Sequence, residues 1–172
     1  METLKIIKMF EDVKLPQKKN PTDSGFDIFA YSFKSYYQNH GSNGERVLEG
    51  ELLKTFIRDS SIELAYLDRV LIGTGIKATV GPGFEIQIRS RSGLALKQGL
   101  FVLNSPGTID ATYINDEIGI IIVNASRKVQ SIKLGDRVAQ LVPNKVELLD
   151  IEVVDKLSGV DRGGGFGHTG TK

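Results

Sequence analysis

The C-terminal segment 161–172 combines glycines with one arginine and one aromatic ring. Arg162 carries a planar fork of donors that suits phosphate, and Phe166 offers a face on which a nucleobase can stack. Glycine lets backbone N–H groups approach a ligand closely because it has no Cβ. Together these residue types predict an arm that closes over a nucleotide.

A second segment, 89–97, has the residue types of a phosphate site. Ser92 is predicted as the N-cap of a short helix over 92–97, and the free N–H groups at a helix start favour an anion. Arg91 lies beside that start, and Gly93 follows it. The alternative interpretation is a capped surface helix with ordinary basic neighbours.

Asp110 is a candidate general base in the segment 104–113, which predicts a hairpin with Asp110 at its tip. Strand alternation places Asp110 and Thr112 on the face opposite to Ile109. A carboxylate there can orient a water and accept its proton. The alternatives are a turn aspartate that bonds its own backbone and, for Tyr113, a half-buried strand aromatic.

Asp27 lies between two apolar residues of a predicted strand. A charge in such a place needs a partner, so one interpretation is a salt bridge to a lysine. The other is a carboxylate that faces a hydrated cation. Since Mg²⁺ keeps several waters and takes phosphate oxygens as ligands, Asp27 would then lie in its outer sphere. His40 and His168 lack the spacing of metal ligands.

The composition limits the class of protein. The chain has 172 residues, a net charge of +1 at pH 7 and no cysteine, which predicts one domain. The near-neutral charge argues against nucleic acid or a membrane surface as partner. No stretch approaches the ~20 apolar residues of a membrane span, and the N-terminus lacks a signal-peptide pattern. We therefore expect a soluble cytoplasmic protein.

Short strands must position the candidate residues. Alternating or β-branched patterns predict strands at 69–72, 84–89, 118–123, 137–142 and 146–153. Turns rich in glycine and proline separate them. Apart from the short helix described above, the pattern indicates an all-β sandwich or barrel.

The segment 33–61 is interpreted as an insert. It is polar and rich in glycine and asparagine around 39–44, and its later part, 52–57, is consistent with a strand or a helical turn. We expect a surface loop here. The alternative is an element that binds a protein partner.

Five motifs in this order resemble the trimeric dUTPase (deoxyuridine 5′-triphosphate nucleotidohydrolase) family. The resemblance runs from about Asp23 to Thr171 and is interrupted by the insert. Its most specific parts are Arg91-Ser92-Gly93-Leu94-Ala95, Asn104-Ser105-Pro106-Gly107-Thr108-Ile109-Asp110, Gly135-Asp136-Arg137-Val138-Ala139-Gln140-Leu141 and Arg162-Gly163-Gly164-Gly165-Phe166-Gly167.

The resemblance implies a distorted jelly-roll β-barrel and a homotrimer with active sites at subunit interfaces, each completed by a neighbour's arm. It implies hydrolysis of dUTP to dUMP and pyrophosphate, which lowers dUTP and supplies dUMP for dTMP synthesis. By motif position, Asp110 would activate the attacking water and Asp27 would hold waters on a Mg²⁺ bound by the triphosphate. The phosphates would be bound by Arg91, Ser92, Gly93 and Gln140.

The same resemblance assigns residues to the nucleoside and to the arm. Those that would read the uracil are Asn104, Gly107, Thr108 and Ile109. Tyr113 would lie against the deoxyribose and exclude a 2′-hydroxyl. In the arm, Arg162 would pair with the γ-phosphate and Phe166 would cover the uracil. The phosphate clamp would be completed by Gly167, His168 and Thr169.

Three departures from the family pattern stand out. Thr112 replaces a frequent second aspartate, which leaves Asp110 as the candidate base. The run 113–117 is one residue longer than a common Tyr-Arg-Gly-Glu. His168 stands where serine is usual.

Two other functions remain open from the sequence. A dCTP deaminase of the same superfamily needs a glutamate on the strand at 118–123, which has no carboxylate, while Glu117 precedes it. The second alternative is a non-catalytic protein that senses nucleotides or binds partners, since a fold does not fix a function. The insert is the feature that supports this alternative.

Overall fold

The computed structural model describes residues 2–161, which fold mainly into antiparallel β-strands. In chain order these are β1 Lys5–Lys8, β2 Phe26–Phe29, β3 Ser32–Asn39, β4 Glu45–Glu49, β5 Ser61–Leu64, β6 Arg69–Gly73, β7 Ile76–Thr79, β8 Phe84–Arg89, β9 Leu100–Val102, β10 Gly107–Asp110, β11 Gly119–Asn124, β12 Gln130–Lys133 and β13 Arg137–Lys145. The helical elements are α1 Gly50–Lys54, α2 Ser92–Gln98 and a 3₁₀ turn Gly41–Asn43.

Two main sheets form the body of the fold. The larger has the strand order β4-β3-β6-β11-β9, and the other has the order β10-β8-β13-β2. β1 pairs with β7, and β12 pairs with β5. The chain crosses between the main sheets from β9 to β10 and again from β10 to β11. This topology confirms the predicted all-β, jelly-roll-like class.

The core takes side chains from both main sheets. In β8, Ile86 and Ile88 are each 2% exposed, whereas Gln87 between them is half-buried. In β11 of the other sheet, Ile120 and Ile122 belong to the same buried cluster. Alternation in a strand sends successive side chains to opposite faces, so the sequence period predicted the inner face of β8 correctly.

The insert expected as a surface loop is instead part of the larger sheet. β3 pairs with both β4 and β6, and Tyr36, Leu48 and Leu53 are 3%, 0% and 2% exposed. A register shift between Phe33 and Ser35 disrupts the period-2 pattern of β3. That irregularity hid the strand in the sequence, and the surface-loop expectation is wrong.

The strand predicted at 146–153 is absent. The Val146 N–H donates to the Gly83 carbonyl (2.9 Å), and the described chain beyond it has no regular secondary structure. Leu149, Ile151 and Val153 are 83%, 95% and 94% exposed. The apolar pattern is real, but within residues 2–161 no strand pairs with it. In this same range, no helix is both long and apolar enough to cross a membrane.

Candidate active site

Asp27 on β2 lies at the centre of a cluster with two arginines. Its Oδ1 accepts a hydrogen bond from Arg91 Nε (2.9 Å), and its Oδ2 lies 3.3 Å from Arg137 Nη1. The Asp27 side chain is 15% exposed. Arg91 Nη1 also donates to the Arg137 carbonyl oxygen (3.0 Å). The expected lysine partner is therefore wrong, and two arginines neutralise the carboxylate instead.

β13 brings the remaining residues of this cluster together. Gln140 lies opposite Asp27 on one side and opposite Arg89 on the other. A register shift between Arg137 and Ala139 changes the alternation, so Arg137 and Gln140 line the same cleft despite their odd spacing. Arg137 belongs to a motif of the sequence but was not among the predicted site residues, because a bulge leaves no sequence signal.

The cluster lines an open polar cleft with a volume of about 520 Å³, to which Gln17, Lys19 and Asp23 also contribute. Gly25 lies on its wall, where an added Cβ would come 3.1 Å from Gln140 Oε1. A larger residue at this position would press on the Gln140 amide. The cleft combines arginine and lysine cations with amide donors, which suits a polyanion.

α2 begins beside this cleft, as predicted, but with a different N-cap. Arg91 occupies the N-cap position in an extended conformation, and Ser92 is the first helical residue. The prediction of Ser92 as N-cap is therefore wrong by one residue. An added Cβ at Gly93 would meet no atom within 4 Å, so the backbone there is open to an approaching ligand.

Asp110 lies at the end of β10, away from that cluster. Thr108 and Asp110 are exposed while Ile109 is half-buried, but the strand ends at Asp110, so the predicted alternation does not continue to Thr112, which lies in a turn. Within residues 2–161, no hydrogen bond or ion pair engages the Asp110 carboxylate. The alternative of a turn aspartate bonded to its own backbone is therefore not supported. The carboxylate lines a second cleft of about 440 Å³, together with Phe84 and Leu148.

The segment 104–113 is not a hairpin. β9 pairs with β11 in one main sheet, whereas β10 pairs with β8 in the other, because the chain crosses between sheets here. Asn104 and Gly107 remain neighbours: an added Cβ at Gly107 would lie 3.2 Å from Asn104 Nδ2. Tyr113 follows in a turn rather than a strand and is 37% exposed.

Asp110 and the Asp27 cluster are far apart in one chain. Asp27, Gln140 and Arg89 lie in one row across three strands. Asp110 lies on β10, the edge strand opposite to β2. It pairs with Glu85, which is four residues away from Arg89 along β8. With strand spacings of about 4.8 Å and a rise of about 3.3 Å per residue, the separation is about 20 Å. The structure thus groups the predicted residues into two sets.

The predicted arm residues Arg162, Phe166, Gly167, His168 and Thr169 lie outside the described residues.

Comparisons with known proteins agree with this architecture. A family model described as dUTPase matches residues 58–170. A deoxyuridine 5′-triphosphate nucleotidohydrolase of Picosynechococcus sp. is 41% identical over 169 residues, covering 98% of this chain and 99% of the relative. That of Fusobacterium nucleatum is 42% identical over 135 residues, covering 78% and 87%.

Solved structures show the same fold at low identity. The dUTPase of Staphylococcus bacteriophage 80alpha, a G164S mutant with dUpNHpp, aligns with a TM-score of 0.72 at 20% identity, covering 99% of both chains. The dUTPase of phage phi11 of S. aureus aligns with a TM-score of 0.67 at 20% identity, covering 92% of this chain and 99% of that chain. Since the family model covers more than half of the chain and a relative at 41% identity spans nearly all of it, the chain belongs to the dUTPase family of dUTP diphosphatases.

Proposed function

We propose that the chain hydrolyses dUTP to dUMP and pyrophosphate at a site shared between copies of the chain. The observation that carries this proposal is the exposed, unengaged Asp110 carboxylate on the same fold as a polar cleft lined by arginines. The relatives' name, deoxyuridine 5′-triphosphate nucleotidohydrolase, supports the substrate.

Asp110 acts as the general base. It accepts a proton from a water whose oxygen attacks the α-phosphorus of dUTP. The new P–O bond forms while the bond between the α-phosphorus and the α–β bridging oxygen breaks, and pyrophosphate leaves with the electron pair. A positioned base typically contributes about 10²–10⁴-fold to a rate. The absence of a bonded partner within residues 2–161 supports this role.

The Asp27 cluster supplies the phosphate-binding half. The phosphate ligands are Arg91, Ser92, Gly93 and Gln140. Arg162 of the arm pairs with the γ-phosphate. The triphosphate carries about four negative charges, and bidentate arginine contacts are suited to such oxygens. The near-neutral chain makes local donors, rather than a long-range field, responsible for binding.

Asp27 fits a Mg²⁺ ion only through water. Both of its oxygens already face arginine donors, and residues 2–161 contain no group of three acidic, histidine or cysteine side chains able to hold a metal. The phosphates would therefore supply the direct ligands of a bound ion, and Asp27 would hold its waters. When bound, Mg²⁺ neutralises phosphate charge. A structure of the phage phi11 enzyme is described as revealing coordination of a structural Mg(II) ion in that protein.

The segment after β9 supplies the nucleoside half. The residues that read the uracil are Asn104, Gly107, Thr108 and Ile109. Tyr113 lies against the deoxyribose, where its ring leaves no room for a 2′-hydroxyl. From the arm, Phe166 covers the base, and Gly167, His168 and Thr169 complete the clamp.

A homotrimer with shared sites explains two features of the single chain. The two halves lie about 20 Å apart, which is too far for one nucleotide to connect Asp110 with the Asp27 cluster of the same chain. The exposed apolar side chains of 146–160 also need a surface to pack against. A second copy of the chain supplies the other half of the site and that surface, and the trimer is the assembly that the family resemblance implies.

The other two functions gain no support. Glu117, the nearest carboxylate to the strand at which a deaminase needs one, is held by Lys34 (2.8 Å) and the Gly75 N–H (2.7 Å). The insert, which was the support for a non-catalytic protein, contributes to the core.

The test is incubation with dUTP, dCTP or UTP in the presence of Mg²⁺, with the products separated by chromatography. We expect dUMP and pyrophosphate from dUTP alone. Conversion of dCTP to dUTP or dUMP would indicate a deaminase instead, and no product from any nucleotide would indicate a binding protein.

A further inference from the structure

Glu117 joins the turn that follows Asp110 to the body of the fold. Its side chain is 14% exposed, and Oε2 lies 2.8 Å from Lys34 Nζ. Its Oε1 accepts a hydrogen bond from the Gly75 N–H (2.7 Å). One carboxylate thus contacts β3 and the connection between β6 and β7. The bonds to both oxygens fix the position of residue 117 against two elements of the scaffold.

The backbone of Glu117 in turn holds Tyr113. The Tyr113 hydroxyl donates to the Glu117 carbonyl oxygen (3.1 Å), and the Tyr113 N–H donates to the Asp110 carbonyl oxygen (3.0 Å). The ring is therefore fixed at both ends: at its hydroxyl by Glu117 and at its backbone by Asp110. A displacement of residue 117 would therefore move the hydroxyl end of the Tyr113 ring.

The space that the Glu117 contact occupies exists because residue 73 is glycine. An added Cβ at Gly73 would lie 2.4 Å from Lys34 Cε, 2.5 Å from Ser32 Oγ and 2.6 Å from Glu117 Oε1. Ser32 Oγ is buried and has no hydrogen-bond partner within residues 2–161. The close fit of three side chains over one glycine indicates that the Lys34–Glu117 pair has little freedom to shift.

We infer that Glu117, held by Lys34 and Gly75, is a positioning residue that sets the orientation of Tyr113 and so determines selection of the 2′-deoxy sugar. This rests on the proposed function, in which Tyr113 lies against the deoxyribose. A ring excludes a hydroxyl group only while it stays in place. Lys34 lies in the segment 33–61, which the sequence pattern indicates as an insert, so this segment takes part in substrate selection.

The experiment measures kcat and KM for dUTP and UTP in wild type, Glu117→Ala, Lys34→Met and Gly73→Ala. In Glu117→Ala we expect the ratio of kcat/KM for dUTP over UTP to fall by about tenfold or more, because displacements near 1 Å have large effects in active sites. Lys34→Met and Gly73→Ala should lower the same ratio. Lys34→Arg keeps the charge and should retain the wild-type ratio.

Glu51→Ala is the matched control, because Glu51 forms an exposed ion pair with Lys54 (2.6 Å) in α1 and should not change the ratio. A purely structural role would lower activity on both nucleotides together. Lys34→Met changes only a half-exposed side chain, so this variant should fold. If the ratio of kcat/KM for dUTP over UTP is unchanged in both Glu117→Ala and Lys34→Met, the inference is wrong. If wild type does not hydrolyse dUTP at all, the proposed function fails instead.

Discussion

At the scale of single residues, the two aspartates selected from the sequence have opposite surroundings. Asp27 is enclosed by Arg91 and Arg137, whereas the Asp110 carboxylate has no bonded partner within residues 2–161. Residue type and local alternation predicted both positions. They could not predict the arginine partners, which lie 64 and 110 residues away in the chain. Such pairings are set by strand order, which local patterns do not contain.

Asp110→Asn should abolish hydrolysis while leaving binding intact. The amide cannot accept the proton of the attacking water, so single-turnover rates with dUTP and Mg²⁺ should fall by about 10²–10⁴-fold. The dissociation constant, measured by calorimetry with a non-hydrolysable dUTP analogue, should stay within about threefold of wild type, since phosphate binding uses other residues.

Asp116→Asn provides the control for the Asp110 variant, because it removes an exposed carboxylate from the following turn. Its turnover should match wild type. Near-normal hydrolysis by Asp110→Asn would show that another group activates the water.

At the scale of secondary-structure elements, regular strands were predictable and irregular ones were not. The alternation in β8 matches its burial from Ile86 to Arg89. β3 carries a register shift between Phe33 and Ser35, which leaves Ser35 and Tyr36 both buried. Two neighbouring buried residues contradict a period of two, so a strand that packs in the core looked like a loop.

Leu48→Ala tests whether the β3–β4 pair is part of the core. Leu48 is 0% exposed, and truncating a buried leucine should lower the free energy of unfolding by about 2–5 kcal/mol. Chemical denaturation measures the change. Val47→Ala, on the exposed face of the same strand, should cost much less because Val47 is 47% exposed. Equal effects of the two variants would mean that this strand does not pack as described.

The hydrogen bond between Tyr36 and Asp68 should make stability depend on alkaline pH. The Tyr36 hydroxyl donates to Asp68 Oδ2, and Asp68, 2% exposed, also accepts from the backbone N–H groups of Asn39 (2.7 Å) and Ala65 (2.9 Å). Burial first, and then the Asp68 carboxylate, raise the pKa of Tyr36 above its ordinary value. The folded state therefore favours the protonated phenol.

Tyr36→Phe should be less stable than wild type by about 1–3 kcal/mol at neutral pH, because Asp68 loses a donor. Because the pKa of Tyr36 is raised in the folded state, its stabilising contribution is complete at pH values below the pKa of an unfolded tyrosine, about 10. As pH rises above that pKa the contribution is lost, so the difference in unfolding free energy between wild type and Tyr36→Phe should narrow. Chemical denaturation at several pH values from 8 to 11 measures this difference. Tyr66→Phe removes an exposed phenol and serves as the control. If the difference in unfolding free energy between wild type and Tyr36→Phe does not change with pH, the proposed dependence on the Tyr36 proton is wrong.

At the scale of the whole molecule, the sequence predicted the fold class but assigned one strand that a single chain does not form. The segment 146–153 has an apolar pattern, yet its side chains are exposed. An alternating pattern indicates that a strand can form and does not say which strand it pairs with. The same limit applies to the proposed site, because Asp110 and Asp27 lie at opposite edges of one sheet.

Mixing two inactive variants should restore activity if the site is shared. Asp110→Asn lacks the proposed base, and Arg91→Ala lacks a proposed phosphate ligand. When each site of a cyclic trimer takes Asp110 from one copy and Arg91 from the next, every assembly that contains both variants keeps about one third of its sites intact. The variants are co-expressed with different tags, and assemblies carrying both tags are purified and assayed with dUTP. Each variant alone, taken through the same purification, should stay inactive. If purified mixed assemblies are also inactive, Asp110 and Arg91 must serve one site from the same chain, which would require a fold different from the one described.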